Sequence, residues 1–433
     1  MSVVSSEEQA GGMKTGPEYH QVSRTTPMTV NSGSKPRSRL KDPASIFEYF
    51  AALPDPRRDH GKIHMLDEIV FMGICAVLCG ADNWLEIAEY SESKIDWLGT
   101  FLTLPGGIPS HDTFRRVFCL LDPLAFQTCF SDWIAALMNR HGVTSVPLDS
   151  SDLRPIAIDG KTQRGSARRT VGQSPLHMVS AWSVENHLTL GQVATHAKSN
   201  EITAIPELLK LLDLEGAVVT IDAMGCQKDI AAGIVQGKGQ YALAVKENQP
   251  HLYEDIKQGF EEVLEHGEPG VDFTEFVTEE VSRSRHETRT CCVITNPSGI
   301  RDARLWVGLT AICMVMSDRV VNGVASSETR YYIGSVNATA EEYLKWVRGH
   351  WGIENSLHWV LDVCFREDEQ RHWAGNSAEN LSWLRKLALC LLKAAKNSKG
   401  KSIHRRRLLA GWKNEYLLSV LSQIIEIPGK CGA

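Results

Sequence analysis

The 433-residue sequence predicts an α/β fold: a mixed sheet with helices on its faces, a β-rich insertion late in that sheet, and a helical region ahead of it. Three observations carry this reading. Short apolar runs at Ile156–Ile158, Ala217–Ile221 and Tyr241–Val245 have the length and composition of buried strands, and the first two end on a carboxylate. The runs from His177 to Val184 and from Leu188 to Ala194, joined by Glu185-Asn186-His187, form an antiparallel hairpin. Amphipathic helical patterns over Ile202 to Leu212 and Gln227 to Gln236 then alternate with strands, which puts helices on the sheet faces.

Taken in order, residues 1–42 are polar and rich in turn formers, so a flexible arm is expected, with Lys35, Arg37, Arg39 and Lys41 charging its end. Residues 43–145 read as a helical domain. Ile46, Phe47, Phe50 and Leu53 recur at helical spacing until Pro54-Asp55-Pro56 stops the run. Leu66 to Cys79 is apolar almost throughout and predicts a central packing helix. Shorter segments at Trp84 to Tyr90 and Ile95 to Phe101 follow, and Ser110 caps a helix that exposes Arg115 and Arg116. The sheet domain is expected over 150–395, with the insertion at about 250–330. The insertion has a charged, turn-rich first half, then strand-like runs at Thr288–Thr295 and Leu305–Val315. Tyr331 to Val336 resumes the apolar strand pattern, and helices over Ala340–Val363 and Asn376–Lys393 follow. Residues 396–433 form a basic extension, and the stretch from Lys386 to Lys413 that leads into it has no Asp or Glu.

A net charge of -6 and a pI near 6.2 argue against a protein that coats nucleic acid indiscriminately, but leave room for local basic surfaces. No run approaches the roughly 18 apolar residues of a membrane span, and the first forty residues carry no apolar targeting segment, so a cytoplasmic protein without membrane contact is expected. Eleven cysteines without a CxxC pair read as free thiols rather than a zinc site.

The chemistry concentrates on carboxylates. Asp159 ends the run Pro155-Ile156-Ala157-Ile158, and an ionised Asp at the end of a buried strand is costly unless a cation or hydrogen bonds meet it. Asp222 repeats that geometry after Val218-Val219-Thr220-Ile221. Neighbouring strands would bring the two together, which calls for a cation or a raised pKa. Glu354 lies in His350-Trp351-Gly352-Ile353-Glu354-Asn355-Ser356-Leu357-His358, on a helix whose apolar residues place it on the packed side, with Trp351 and Trp359 in the core and walls. Three oxygen ligands of this kind suit Mg²⁺ or Mn²⁺. Two such ions about 3.5–4 Å apart activate a water or hydroxyl and stabilise the leaving oxygen at a phosphodiester. From the residues alone, sugar and phosphate hydrolases stay open beside phosphodiester chemistry, as do a turn or cap role for Asp159 and a solvated helix position for Glu354.

The stretches Ile156-Ala157-Ile158-Asp159-Gly160-Lys161-Thr162, Thr220-Ile221-Asp222-Ala223, Tyr241 to Gln249 and His350 to Asp362, with Phe365, Glu367, Asp368, Arg371 and Asn376, resemble the DDE transposases. The likeness is to the ISAs-type group that includes H-repeat-associated proteins, and it extends from about residue 43 to 410. It implies a ribonuclease H-like catalytic domain with a β-rich insertion before the helix of the third acid, and an associated helical domain at the N-terminus. It also implies Asp159, Asp222 and Glu354 as catalytic triad and ligands of two Mg²⁺ ions, with Mn²⁺ as a substitute. The implied reaction is cleavage and strand transfer at insertion-sequence ends. Double-stranded DNA, as inverted-repeat ends and target, is the implied partner, and a homodimer the implied synaptic form. One departure stands out: a broader group of such enzymes carries Tyr, Arg and Lys around the last acid, where this chain has Val347, His350 and Leu361. Hairpin-forming excision is therefore not implied. Candidate DNA contacts are Lys161, Arg164, Lys246, Arg348, His350, Arg371, Arg405, Arg406 and Arg407. Two other readings stay open: a nuclease of this fold without strand transfer, and a transposase-derived DNA-binding regulator.

Overall fold

Alternating Ile156 and Ile158 set the strand from which the sheet is built outward, β1 (Arg154–Gln163). The computed structural model describes residues 46–421, apart from 60–61, 141–149, 168–169, 171, 173, 196–199, 268–270, 283 and 396–399. The N-terminal arm, with Lys35, Arg37, Arg39 and Lys41 at its end, and residues 422–433 lie outside the described residues.

On one side of β1, β2 (Leu176–Ser183) and β3 (Leu188–Thr195) continue antiparallel; on the other, β4 (Ala217–Ile221) and β5 (Gln240–Val245) run parallel to it. This is the mixed, ribonuclease H-like sheet that the resemblance implies. The insertion supplies β6 (Asp272–Ser282), β7 (Arg285–Thr295), β8 (Ala311–Val321) and β9 (Val324–Gly334), giving the order β3-β2-β1-β4-β5-β9-β8-β7-β6. It is no separate layer, because β9 pairs with β5 from Tyr331 to Gly334 and with β8 over its whole length. The resumed strand at Tyr331 and the last insertion strand are thus one strand. Asn322-Gly323, at φ 49° and 80°, makes the left-handed turn that returns β8 into β9.

The helices are α1 (Ile46–Ala51), α2 (Leu66–Leu78), α3 (Trp84–Ser93), α4 (Ile95–Leu98), α5 (His111–Leu120) and α6 (Pro123–Arg140) before the sheet, then α7 (Glu201–Leu209) and α8 (Lys228–Gln236) within it. The first half of the insertion, expected to be turn-rich, is a 17-residue helix, α9 (Pro250–His266). Its ends follow helix-terminus chemistry that charge content obscured: Pro250 opens it, and Gly267 at φ 59° closes it. The 18 residues of α6 also escaped the sequence reading. After the sheet come α10 (Ala340–Ile353), α11 (Trp359–Phe365), α12 (Ser377–Ala394), α13 (Ile403–Trp412) and α14 (Asn414–Leu421). Among the described residues no helix is long and apolar enough to cross a membrane.

Helices α7, α8 and α9 cover one face of the sheet through Ile205, Ile234 and Ile256; α10 covers part of the other through Tyr343 and Trp346. The N-terminal helices do not close a core of their own. Twelve of the thirteen residues of α2 are buried, and they share a core with α12, α14, Phe365 of α11 and Trp182 of β2. The same core takes in Ala157 of β1 and Ile353 and Leu357, which flank Glu354 in sequence.

Candidate active site

Asp159 was expected at the end of its strand, yet β1 runs on to Gln163. β2 pairs with it as far as Gln163 opposite Leu176, whereas β4 leaves after Ile158 opposite Ile221. Asp159 is therefore the first β1 residue past its parallel partner, at the rim on that side. Its Oδ2 lies 3.3 Å from Nε2 of the buried His358. Burial raises the pKa of Asp159, but the imidazoles of His358 and His350 outweigh it and the net shift is downward. Gly160, next in line, leaves room for a hydrogen-bonded pair, His177 Nε2 and Glu201 Oε1, 2.8 Å apart; a Cβ there would meet those two atoms at 2.5 and 2.1 Å.

Asp222 follows the last residue of β4 and caps a short 3-10 turn, its Oδ1 accepting from the backbone N–H of Met224 (3.1 Å) and Gly225 (3.3 Å). Side chains after β5 pin this loop: Asn248 donates to the Ala223 carbonyl (2.7 Å) and Gln249 to that of Cys226 (2.9 Å). The pKa of Asp222 is raised, first by burial and then by the negative charges of Glu201 and Asp159.

Glu354 arrives on α10, which begins with a capping box between Thr339 and Glu342. The expected unbroken helix to Val363 is interrupted: Glu354–His358 form a π-helical turn between α10 and α11. The wider turn takes in an extra residue, so Ile353, Leu357 and His358 all face inward. Glu354 is exposed, not packed as its apolar neighbours suggested. Trp351 and Trp359, expected in core and walls, are 39% and 57% exposed.

His350 ties the set together. Its Nδ1 lies 3.1 Å from Thr220 Oγ1 on β4. Burial pushes its pKa down although the charges of Asp159, Asp222 and Glu354 act to raise it, so the ring is neutral at pH 7. A cavity of about 960 Å³ is lined by Asp222, His350 and Glu354 together with Lys246, Arg330 and Trp351. The Arg330 guanidinium stacks 4.3 Å from the Trp351 ring centroid.

The remaining candidates separate into available and committed groups. Lys246 is exposed on the cavity wall, Arg371 and Arg405 are exposed, and Arg164 is exposed but paired with Asp368 at 3.7 Å. Arg348 is exposed but paired with Glu280. Lys161 is turned inward onto Asp362 (2.7 Å), Asp368 (3.2 Å) and Glu367 (3.3 Å). Arg407 is buried on Asp82 (3.2 Å) and over the Phe365 ring, and Arg406 donates to the Leu392 carbonyl (2.7 Å). The basic C-terminal stretch is thus no continuous surface, because Lys386 is buried as well.

A family model described as Transposase DDE domain matches residues 145–391, and one described as DDE_Tnp_1-associated matches 47–134. The chain belongs to the DDE transposase family. Its relatives in this family include YncI of Escherichia coli O157:H7, 41% identical over 88% of this chain and 96% of that protein. H repeat-associated YhhI of Escherichia coli K12 is 37% identical over 87% and 97%. A solved synaptic complex of piggyBac transposase superposes with a TM-score of 0.38 at 11% identity, over 88% of this chain and 77% of that one, too distant to bear on residue roles.

For a DDE family member, the question is whether the acids suit a divalent cation. Their chemistry does: the donors are hard oxygens, and Asp222 sits under the negative charge of Glu201 and Asp159. Among the described residues, no three His, Cys, Asp or Glu side chains are gathered tightly enough to hold an ion. Sequence reasoning missed Glu201, His177 and Arg330. Glu201 and His177 are distant in sequence from the acids, and only strand pairing and the start of α7 place them beside Gly160. Arg330 carried a signal, as a lone cation entering the Tyr331-Tyr332 strand.

Proposed function

We propose that this protein cleaves DNA at the ends of an insertion sequence and joins the freed 3′-hydroxyls to target DNA, with Asp159, Asp222 and Glu354 as the catalytic acids. The observation that supports this most is that Asp159 and Asp222 directly follow the paired Ile158 and Ile221 of adjacent parallel strands, while Glu354 lines the same cavity as Asp222 and His350. Asp159 and Asp222 would hold Mg²⁺, with Mn²⁺ as a substitute, and Glu354 would complete the ligands of a second ion. Bound there, the ions supply a nucleophilic oxygen at neutral pH and charge stabilisation for the leaving oxygen.

The residues themselves do the positioning. The Asn248 and Gln249 side chains hold the Asp222 loop, and His358, 3.3 Å from Asp159, favours the ionised form of that carboxyl. Neutral His350 is a hydrogen-bonding group rather than a cation, so phosphate attraction at the cavity falls to Lys246 and Arg330. The partners proposed are double-stranded inverted-repeat ends and target DNA in the cytoplasm. Bringing two ends together makes a homodimer the working form.

The test incubates purified wild-type and Asp159→Asn protein with labelled DNA carrying the flanking inverted repeats, in Mg²⁺ or Ca²⁺. Cleavage at the repeat boundary plus a strand-joined product, for wild type in Mg²⁺ alone, is the expected result. Cleavage without joining replaces the proposal with a nuclease; specific binding with no cutting replaces it with a DNA-binding regulator.

A further inference from the structure

The pairing register of β6–β9 places Arg330, Arg289, Arg319 and Arg285 in four successive rows of one sheet face, the face on which α10 packs. Same-face rows are about 7 Å apart along the strands. Arg330 lines the cavity that contains Glu354, so the series begins at the reaction site and runs outward to the hairpin ends. Arg348 of α10 joins it through Glu280.

The arginines are held in place without being neutralised. Glu287, 1% exposed, accepts from Arg319 Nε (2.7 Å), contacts Arg289 Nη2 (2.7 Å) and also binds Arg285. Glu280 lies 3.1 Å from Arg289 Nη1, and Glu328 accepts from Arg330 Nε at 2.8 Å. Five arginines (285, 289, 319, 330 and 348) meet three glutamates (280, 287 and 328), leaving a surplus of two positive charges. A guanidinium has five N–H donors in a rigid fork, more than these contacts use. Arg285 and Arg319 remain 48% and 33% exposed. On the same face, the buried Thr278 Oγ1 has no hydrogen-bond partner among the described residues. An ion ladder serving stability alone cancels its charges; this one holds excess, forked donors at fixed spacing.

We infer that this strip is a track for the phosphate backbone of duplex DNA adjoining the reacting phosphodiester, with the insertion acting as a platform for DNA beyond the catalytic cavity. The inference rests on the function proposed above. It predicts binding that is sequence-independent and salt-sensitive along the strip, because phosphate contacts position DNA without reading bases.

The experiment measures duplex binding against salt concentration, using full-length Asp159→Asn protein as parent so that the DNA stays intact. Arg285→Gln and Arg319→Gln, alone and together, are expected to lower the salt slope by about 0.9 for each phosphate no longer neutralised, and affinity several-fold for each at about 100 mM salt. Arg285→Gln leaves Glu287 with two arginines, so it serves as the variant that keeps its fold, checked by thermal melting. Glu287→Gln separates the roles further: a phosphate track binds DNA more tightly when that charge is removed, whereas a structural ladder only loses stability. Unchanged affinity and slope in the folded arginine variants overturn the track and leave the proposed reaction standing. Failure of wild-type cleavage, with the arginine effects intact, overturns the reaction and leaves the strip as a DNA-binding surface.

Discussion

Asp222 shows how a single residue trades stability for a prospective function. Its raised pKa means the folded state binds its proton more tightly than the unfolded state does. The stability this gives is complete below the unfolded pKa and is lost as pH rises through the folded one. Without divalent cation at pH 7, Asp222→Asn is therefore expected to raise the melting temperature while removing cleavage. Saturating Mg²⁺ should close the gap by stabilising the wild type alone. Glu379 gives a sharper titration away from the acids, since burial pushes its carboxyl up to about 7. By the same sign, its contribution is lost as pH rises from the ordinary carboxylate range to about 7. Glu379→Gln should match wild type near pH 4 and exceed it at pH 8 by on the order of 1–3 kcal/mol. Thermal melts across that range check both.

At the scale of elements, the decisive feature is the π turn at Glu354–His358. It lets one helix send His358 inward to Asp159 while presenting Glu354 to the cavity. The turn is supported by Asn355, whose side chain donates to the Trp351 carbonyl at 3.1 Å. Asn355→Ala removes that bond at a cost of about 1 kcal/mol. If the turn sets the aim of Glu354, single-turnover cleavage should fall at least tenfold with DNA affinity unchanged. An equal loss in both would place the defect elsewhere. The sequence showed a helix over Ala340–Val363, but it placed Glu354 on the packed side. A 3.6-residue period extrapolated through a wider turn assigns the wrong face.

Across the whole molecule, the N-terminal helices, the sheet and the C-terminal helices are locked by one buried charge network. Asp82, between α2 and α3, meets Arg407 of α13, and Arg385 of α12 approaches Glu367, which also holds Lys161 of β1. These residues come from distant parts of the chain and only packing unites them. Arg407→Met leaves Asp82 without its partner at 3.2 Å, and breaking a buried pair in this way costs about 3–5 kcal/mol. One cooperative melt at lower temperature is the expected outcome. Two separate transitions would mean that residues 46–134 fold independently of the remainder.

What the sequence determined by itself was local or motif-borne: the strands that deliver Asp159 and Asp222, the hairpin of β2 and β3, the apolar α2, and the family motifs around the acids. These depend on alternation, apolar run length and caps, all of which are properties of neighbouring residues. The tertiary structure alone decided which basic residues are available. Lys161, Lys386 and Arg407 read as surface charge, but Lys161 is turned inward onto carboxylates and Lys386 and Arg407 are buried, because a cation's partner can lie hundreds of residues away, as Asp82 does for Arg407. It alone joined the insertion to the catalytic sheet through β9 and aligned the arginines of separate strands on one face, since strand register is a long-range pairing that no single segment specifies.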